Sequence, residues 1–460
     1  METIDSITKT VPEEEEKPVL MAGYSERIIT PPMGQGIPGY YTARISDGII
    51  TDLKLRCAAF QYGEKRAVFY NVECISLRGL DISRRLREMI SERCGADPEA
   101  IYISCVHSHT SFRIVDPAIM PENARIHLER VFQDFCDAAQ FAFEDLHPAS
   151  LRVARGEAKG VGFLRRYRMK DGTVKTNPGM GNPEIDHFEG TPDESLILVR
   201  VLREGAKELL MVNFGTHADV IGGTKYCADY PGYLCEDLNT VFHGDVETLF
   251  FNGAEGDSNH INAFLPKGSP RKGVPVAKRM ARILAGEVLK IYDDAKEVSS
   301  EGIDFKTAVA RVGQNPHNPE DVPIAEEMRK IYREKGDKAE ELKQFPLNIP
   351  EALRILANLK RPEVFELPVT CIRLGEVAFV GIPGEPFQEI GLVIKEKSPY
   401  PQTIVTCCTN GGEGYYPTAA AFAEKGYERS VSPFAHNCAE VMENTALEAL
   451  KELKDAEQER

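Results

Sequence analysis

Short apolar runs that end at once in glycine or an ionisable side chain recur along this chain, and they constrain its fold most. The run "IYISCV" leads directly into His107 and His109, and "LLMVNF" leads through Gly-Thr into His217. "FVGIPG" leads into Glu385, and "TIVTCCTNGGEG" leads into Tyr415. Apolar runs of about four to eight residues bounded by turn residues are typical of buried strands. Because ligands of α/β proteins gather outside the carboxyl ends of strands, these side chains are predicted to share one cleft.

Helical patterns alternate with the strand-like runs, for example over 80–94 and 272–294. This mixed order predicts an α/β (mixed α+β) fold, in which helices cover a large mixed β-sheet. A proline-bounded, charge-rich segment at about 313–365 is predicted to form an inserted pair of helices. A lid, an oligomer contact and peripheral packing all remain open as its role. One domain is expected over 20–455, preceded by a disordered acidic leader over 1–19.

The composition excludes several classes of function. The 460 residues carry a net charge of -16, which argues against a nucleic-acid partner. The 11 cysteines contain no Cys-x-x-Cys pair, which indicates reduced thiols in a cytoplasmic protein. Neither a signal peptide nor a run of about 18 apolar residues is visible, so no membrane anchor is expected. A homo-oligomer is left open.

The His-x-His pair suggests metal chemistry. Alternate residues of a strand point to the same face, so His107 and His109 are predicted to lie side by side. One ring would bind a metal ion while the other reaches the substrate or a water; two core or loop histidines are the alternative. Two imidazoles and a carboxylate suit a catalytic Zn²⁺, which activates water and polarises a carbonyl oxygen. Such a site hydrolyses amides or esters.

Six short motifs, in this order, resemble the catalytic domain of the neutral/alkaline non-lysosomal ceramidases. They are "AGYSERIITPPMG", "VHSHTS", "NFGTHADV" followed by "ADYPGYL", "FFNGAEGD", "GIPGEPF" and "GGEGYYPT". Each motif is weak alone, but their order and spacing are similar to the family's over roughly residues 20–450. The chain is thus similar to an uncharacterised, cytosolic bacterial-type member. The resemblance implies the family's fold and hydrolysis of a linear amide.

The resemblance also implies a role for individual residues. Four zinc ligands would come from distant segments, namely His107, His217, Glu385 and Tyr415. His109 would be the neighbouring catalytic histidine, which bonds the reacting water or the carbonyl oxygen. Arg165 lies where the family has an arginine that contacts the reacting carbonyl, although a solvated basic face is the alternative. Tyr427 lies where the family has a second catalytic tyrosine, whose phenol would donate to the developing oxyanion.

Three departures from the family pattern bear on the chemistry. Ser258 is shifted by one position in its loop and a proline is missing, so metal-activated water is favoured over Ser258 as the nucleophile. Phe112 and Arg113 stand where the family often has Gly-Pro, which changes the pocket wall. The sphingolipid-cleaving members are secreted and carry a C-terminal β domain. Neither feature is expected here, so a small cytosolic amide is favoured over ceramide.

The sequence therefore predicts a zinc-dependent hydrolase that cleaves the carbon-nitrogen bond of a small-molecule amide, including acylated amides, with metal-activated water. A metal-dependent esterase or lactonase and a non-catalytic relative that binds an acyl ligand remain as alternatives. Asp229 and Asp257 are each expected either to support a ligand histidine or to cap a helix. Tyr416 would replace Tyr415 as a ligand if the motif were shifted by one residue.

Overall fold

Two β-sheets packed against each other form the centre of the protein, as seen in a computed structural model that describes residues 17–424 and 426–459. The larger sheet has nine strands and the smaller has four. The predicted mixed α/β fold with helices over a large mixed sheet is confirmed. The second sheet was not part of the prediction. Most of the leader predicted over 1–19 lies outside the described residues.

Ten α-helices lie within the described residues. They are α1 (Leu80–Cys94), α2 (Glu122–Glu144), α3 (Asp229–Val241), α4 (Val274–Tyr292), α5 (Asp321–Lys335), α6 (Ile349–Asn358), α7 (Gln388–Lys397), α8 (Ala419–Glu424), α9 (Tyr427–Val431) and α10 (Cys438–Gln458). Short 3₁₀ helices are formed by Pro98–Ala100, Pro117–Ile119 and Glu340–Gln344. Among the described helices, none combines the length and apolar character that a membrane span requires.

The strands of the described residues range from two to eleven residues in length. They are β1 (Met21–Ile28), β2 (Gly48–Ile49), β3 (Lys54–Tyr62), β4 (Lys65–Val72), β5 (Ser76–Leu77), β6 (Ile101–Cys105), β7 (Arg113–Ile114), β8 (His147–Glu157), β9 (Phe163–Leu164), β10 (Arg166–Met169), β11 (Val174–Thr176), β12 (Ile185–Phe188), β13 (Ser195–Arg203), β14 (Glu208–Phe214), β15 (Lys225–Tyr226), β16 (Val246–Asn252), β17 (Ser258–Asn259), β18 (Lys296–Val298), β19 (Ile303–Gly313), β20 (Val364–Leu374), β21 (Val377–Gly381), β22 (Glu385–Pro386), β23 (Gln402–Thr406) and β24 (Tyr415–Tyr416).

The larger sheet runs in the order β16-β14-β13-β8-β1-β3-β4-β6, and β18 adds to β8. Helices α1 and α2 cover one part of its outer face, and α3 and α4 cover another. Helix α2 can do this because its apolar residues recur three and four positions apart, as Leu128, Val131, Phe132 and Phe135 show. All four side chains are buried in the core beneath the sheet.

The smaller sheet, in the order β19-β20-β21-β23, packs against the other face of the larger one. Phe379 on β21 lies 4.8 Å from the ring of Phe69 on β4 and 6.1 Å from that of Phe251 on β16, between ring centroids. Helices α7 and α10 cover its outer side. The resulting order of layers is helices, large sheet, small sheet, helices.

The inserted segment connects two neighbouring strands of the small sheet. Strands β19 and β20 are antiparallel neighbours whose last pair is Gly313 with Val364, so the chain between them leaves the sheet and returns to the same point. Helices α5 and α6 lie in this excursion and share a small apolar core of their own.

The two outermost strands of the large sheet, β16 and β6, approach each other. The side-chain amide of Asn252, at the end of β16, donates to the carbonyl of Val106 at 3.1 Å. The segment after β23 fills the space between them: the Cys407 amide donates to the Asn252 carbonyl at 3.0 Å, and the Cys105 amide donates to the Cys408 carbonyl at 3.2 Å. The carboxyl ends of β6, β16 and β23 therefore meet, as the prediction of a shared cleft requires.

Candidate active site

His107 occupies a bend just beyond β6. The strand ends at Cys105, and His107 has a left-handed backbone with φ of 66°. A non-glycine residue in this conformation is uncommon and costs free energy, which is often found at functional sites. Strand periodicity therefore does not set the directions of His107 and His109, contrary to the sequence argument. Their rings are nevertheless neighbours, with centroids 5.0 Å apart.

Backbone carbonyls fix the tautomers of two histidines. The Nδ1–H of His107 donates to the carbonyl of Ile75 at 2.8 Å. The Nδ1–H of His217 lies 2.9 Å from the carbonyls of both Glu255 and Ser258. In its neutral form, each ring thus presents Nε2 to the cleft as an acceptor. Ligand histidines of metal sites are characteristically held in this way.

Glu385 and Tyr415 are brought side by side by a two-residue parallel ribbon, in which β22 pairs with β24 and Glu385 lies opposite Tyr415. The Tyr415 hydroxyl lies 3.2 Å from Nε2 of His217. Tyr416 points elsewhere: its hydroxyl donates to the Pro383 carbonyl at 3.1 Å, and its ring is fully buried. The structure therefore brings Tyr415, and not Tyr416, to the histidines.

The spacing of these atoms fits a tetrahedral zinc site. Ligand atoms about 2.1 Å from a central ion lie about 3.4 Å from one another in a tetrahedron. Oε2 of Glu385 is 3.6 Å from Nε2 of His107 and 3.2 Å from Nε2 of His217. The same Oε2 is buried and accepts no hydrogen bond from the described residues. With both histidines neutral, this carboxylate oxygen and the two Nε2 atoms are three acceptors that face one another, an arrangement suited to hold a cation.

The electrostatics of the cleft favour positive charge at this point. Burial lowers the pKa of His107, but Glu385 and Glu255 outweigh it, and the pKa lies well above its usual value. Burial raises the pKa of Glu385, but His107 and His217 outweigh it, and the carboxyl stays ionised far below neutral pH. The carboxylates that attract a proton to His107 would equally attract a divalent cation.

A second group of side chains lies behind His107 and was not predicted from the sequence. Sγ of Cys408 lies 3.4 Å from Nδ1 of His107, and Oε1 of the fully buried Glu255 lies 3.9 Å from it. The Cys407 thiol donates to Oε1 of Glu255 at 3.1 Å. His107, Glu255 and Cys408 are close enough to form a metal site of their own. Because Nδ1 of His107 carries the proton bonded to Ile75, we interpret Glu255 and Cys408 as support for the ring.

The ring of His109 lies beside the two ligand candidates. Both of its nitrogens are buried and have no hydrogen-bond partner among the described residues. Its ring packs against Tyr40 at 5.4 Å between centroids, and a Cβ on Gly39 would lie 2.8 Å from its Nδ1. Burial and the neighbouring His107 hold its pKa well below the usual value, so the ring is neutral. A neutral imidazole with two free nitrogens can donate to, and accept from, a reacting group. It is also close enough to His107 and His217 to serve as a third ligand.

Arg165 and Tyr427 complete the group predicted from the sequence. Nε of Arg165 donates to Oε1 of the buried Glu428 at 2.8 Å, and Nη2 donates to the Gly256 carbonyl at 2.6 Å. Its guanidinium carbon lies 5.3 Å from the ring centre of Tyr415 and 5.6 Å from that of Tyr427. Arg165 is therefore a buried, anchored cation at the site, which does not fit the alternative of a solvated basic face.

Burial raises the pKa of Tyr427, and the lowering effect of Arg165 does not cancel it. The phenol therefore keeps its proton near neutral pH. Its side chain is partly exposed, and it lines a cavity together with His107, Glu385 and Tyr415. This cavity of about 310 Å³ is also walled by helix α6 of the insertion. The insertion thus forms part of the wall of this cavity.

Asp229, Asp257 and Ser258 have structural contacts. Asp229 accepts hydrogen bonds from the backbone amides of Ile221 at 2.8 Å and of Tyr230 at 2.7 Å, at the start of α3. Asp257 accepts from the amide of Gln388, the first residue of α7, at 2.8 Å. Both carboxylates therefore take the helix-capping alternative.

The Ser258 hydroxyl is fully buried and donates to the Thr216 hydroxyl at 3.1 Å. The position of Ser258 predicted a bond to the backbone of its own loop, and the observed partner is a side chain instead. His260 is buried near the site, with Nδ1 3.0 Å from Oδ1 of Asp219. Asp219 lies two residues after His217 in "GTHADV", so an ionisable residue this close to a predicted ligand could have indicated the pair.

No protein-family model and no curated protein matches this chain. Among solved structures, the neutral ceramidase from Pseudomonas aeruginosa matches with a TM-score of 0.72 and 13% sequence identity, over 96% of this chain and 75% of that chain. A structure described as a ceramidase complexed with C2 matches with a TM-score of 0.72 and 12% identity, over 95% of this chain and 76% of the other. The chain therefore has the neutral ceramidase fold, which confirms the predicted resemblance at the level of the fold.

Proposed function

We propose that this protein is a zinc-dependent hydrolase that cleaves the carbon-nitrogen bond of a small-molecule amide. The observation that carries the proposal is a buried carboxylate oxygen that lies 3.2 Å and 3.6 Å from two Nε2 atoms, beside a neutral histidine whose ring nitrogens are unpaired. His107, His217, Glu385 and Tyr415 would hold the ion. Zinc bound at such a site activates water for attack and polarises the carbonyl of a substrate.

The remaining side chains have distinct tasks in this proposal. His109, neutral and unpaired, accepts a hydrogen bond from the attacking water and passes a proton to the departing amine. Tyr427 donates its phenolic proton in a hydrogen bond to the oxygen that becomes negative. Arg165, anchored by Glu428, adds positive charge on the same side. Water and amide are thereby converted to a carboxylic acid and an amine.

The same geometry bears on two alternatives, a non-catalytic acyl-binding protein and an esterase or lactonase. An acyl-binding protein without activity would need neither an unpaired histidine nor a buried arginine beside its metal site, so the non-catalytic reading is not favoured. An ester or lactone would be attacked by the same groups. The amide is preferred because the structures with this fold are ceramidases, enzymes whose name denotes cleavage of an amide.

The test is hydrolysis of matched short-chain amides and esters before and after removal of metal. We expect amide cleavage by the purified protein, loss of turnover after treatment with a chelator, and recovery on addition of one equivalent of zinc. The variant His107→Ala should show no turnover, whereas His436→Ala, which changes an exposed histidine, should be unaffected. Turnover that survives complete metal removal would contradict the proposal.

A further inference from the structure

The cavity above the proposed metal site is rich in arginine. Four arginines and two glutamates line it: Arg78, Arg113, Arg354, Arg361, Glu385 and Glu413. Glu385 is one of the proposed zinc ligands, so a bound ion would neutralise its charge. The surplus is therefore positive, in a chain whose net charge is -16. A local excess of cations in an acidic protein calls for a specific explanation.

One of the four arginines is used by the fold. Arg354 on α6 donates to the carbonyls of Ser430 and Asn315, both at 3.1 Å. It also lies 3.9 Å from the carboxylate of Glu351. Its charge and hydrogen bonds hold the insertion against the body of the protein.

The other three, Arg78, Arg113 and Arg361, form what we call the arginine cluster. No carboxylate of the described residues lies within ion-pair distance of any of their guanidinium groups. The one side-chain hydrogen bond that they make within the described chain joins Nε of Arg113 to the Ser76 hydroxyl at 3.2 Å. Arg113 and Arg361 are partly buried, where a guanidinium group usually finds more acceptors than these two have, whereas Arg78 is exposed.

The fold brings the cluster together from two distant segments. Strand β7 pairs in parallel with β5, so Arg113 lies opposite Ser76, and the Arg78 amide donates to the Ile114 carbonyl at 2.9 Å. Arg361 follows α6 at the end of the insertion, where its amide donates to the Asn358 carbonyl at 3.0 Å. One wall of the cavity thus belongs to the main body, and the facing wall to the insertion.

Arg78 is close enough to Arg113 and to Arg361 for their charges to repel. Burial and the charge of Arg78 together lower the pKa of Arg113 to about 10, although Glu385 acts in the opposite direction. Burial and Arg78 likewise lower the pKa of Arg361. An anion placed between them would remove this repulsion and satisfy their donors. Arginine is the side chain best suited to bind carboxylate and phosphate in this way.

We propose that the substrate carries an anionic group, a carboxylate or a phosphate, which the arginine cluster binds while the scissile amide lies against His107 and Glu385. This inference rests on the proposed amidase function and specifies its substrate class. It also accounts for Arg113, which stands where the resembling family often has Gly-Pro. A neutral, two-chain lipid would bring no counter-charge to the cluster, where Glu413 is the carboxylate that acts on Arg361.

Four matched amides test the proposal on the zinc-loaded protein. N-butanoylethanolamine is the neutral reference, N-succinylethanolamine carries a carboxylate on the acyl side, and N-butanoylglycine carries one on the amine side. N-butanoyl-O-phosphoethanolamine carries a phosphate and separates the two kinds of anion. We expect at least one anionic amide to be cleaved with a kcat/KM at least tenfold above that of the neutral reference. Equal or better cleavage of the neutral amide than of all three anions would overturn the proposal.

Variants assign the preference to the cluster. Arg113→Gln and Arg361→Gln should each lower kcat/KM for the preferred anionic amide by about 10- to 100-fold, the loss typical of a charged hydrogen bond, and change the neutral amide by less than about threefold. Arg113→Lys retains the charge and should recover part of the preference. The control Arg279→Gln removes an exposed arginine of α4, outside the cavity, and should leave both substrates unchanged.

Failure of the proposed function is distinguishable from failure of this inference. If none of the four amides is cleaved, calorimetric titration with the same compounds decides the matter. Binding of an anionic compound that is lost in Arg113→Gln, with retained folding by circular dichroism, supports the anion site and contradicts amidase activity. Absence of binding by every anion, in wild type as in the variants, overturns the anion site as well.

Discussion

Replacing Glu385 by glutamine should uncouple zinc binding from an otherwise unchanged cleft. Glutamine has the shape of glutamate but no charge. Oε2 of Glu385 lies 3.2 Å and 3.6 Å from the Nε2 atoms of His217 and His107, so in this account it is a direct ligand. Groups that only support ligands weaken metal binding by about 10- to 100-fold when they are removed. Loss of a ligand carboxylate should therefore weaken zinc binding by at least about 100-fold, or about 3 kcal/mol.

Competition with a chromogenic chelator measures this change directly, and thermal unfolding gives an independent readout. At a free zinc concentration about 100 times the wild-type Kd, zinc should stabilise the wild type by about 2.7 kcal/mol and the variant by only about 0.4 kcal/mol. Glu363→Gln makes the same chemical change at an exposed position and should behave as wild type. A zinc affinity of Glu385→Gln within threefold of wild type would refute the assignment of this carboxylate.

Three further predictions concern other parts of the account. His109→Ala should retain stoichiometric zinc and lose about 100-fold or more in kcat, as rapid metal analysis and steady-state kinetics will show; loss of zinc instead would mean that His109 is a ligand. Tyr427→Phe should lower kcat by about 10²- to 10³-fold with little change in KM, and a purely KM effect would contradict its role as an oxyanion donor. Glu443 has its pKa raised to about 7 by burial and by Glu389, so the folded carboxyl keeps its proton to higher pH than the unfolded one. The free energy of unfolding that this carboxyl contributes below pH 4.5 is therefore lost as the pH rises through about 7. The loss should be about 1 kcal/mol after solvent screening, and Glu443→Gln should remove it. Denaturant unfolding at pH 5 and pH 8 tests it, and an equal effect of the substitution at both values would be inconsistent with the shift.

Much of the fold could be predicted because burial leaves a periodic signal. Helix α1 is found over the predicted residues 80–94, where buried residues alternate with exposed ones at helical spacing. Strands β6, β14 and β16 are continuous apolar runs, since both of their faces are covered. Burial on both faces therefore makes a strand visible in the sequence.

Other elements were missed for identifiable reasons. Strand β8 carries several charged residues, yet Leu151 and Val153 are buried on one face. Helix α3 begins with Asp-Tyr-Pro-Gly, which contains two residues of low helix propensity. Pro231 lies in its first turn, where the missing amide hydrogen is tolerated because that group has no partner within the helix.

The site could be predicted as a set of residues but not as a geometry. Glycine and ionisable groups after apolar runs indicated His107, His217 and Glu385. Which strand ends meet depends on the approach of β6 to β16 and on the insertion of Cys407 and Cys408 between them, and this long-range pairing leaves no local pattern. The same holds for the arginine cluster, whose members lie on segments far apart in the chain.

The most direct test of the central claim is a crystal structure of the zinc-loaded protein with anomalous data collected at the zinc absorption edge. The account predicts one anomalous peak per chain, about 2.0–2.2 Å from Nε2 of His107, Nε2 of His217 and a carboxylate oxygen of Glu385. A stoichiometric zinc ion bound elsewhere, or the absence of a peak between these three side chains, would contradict it.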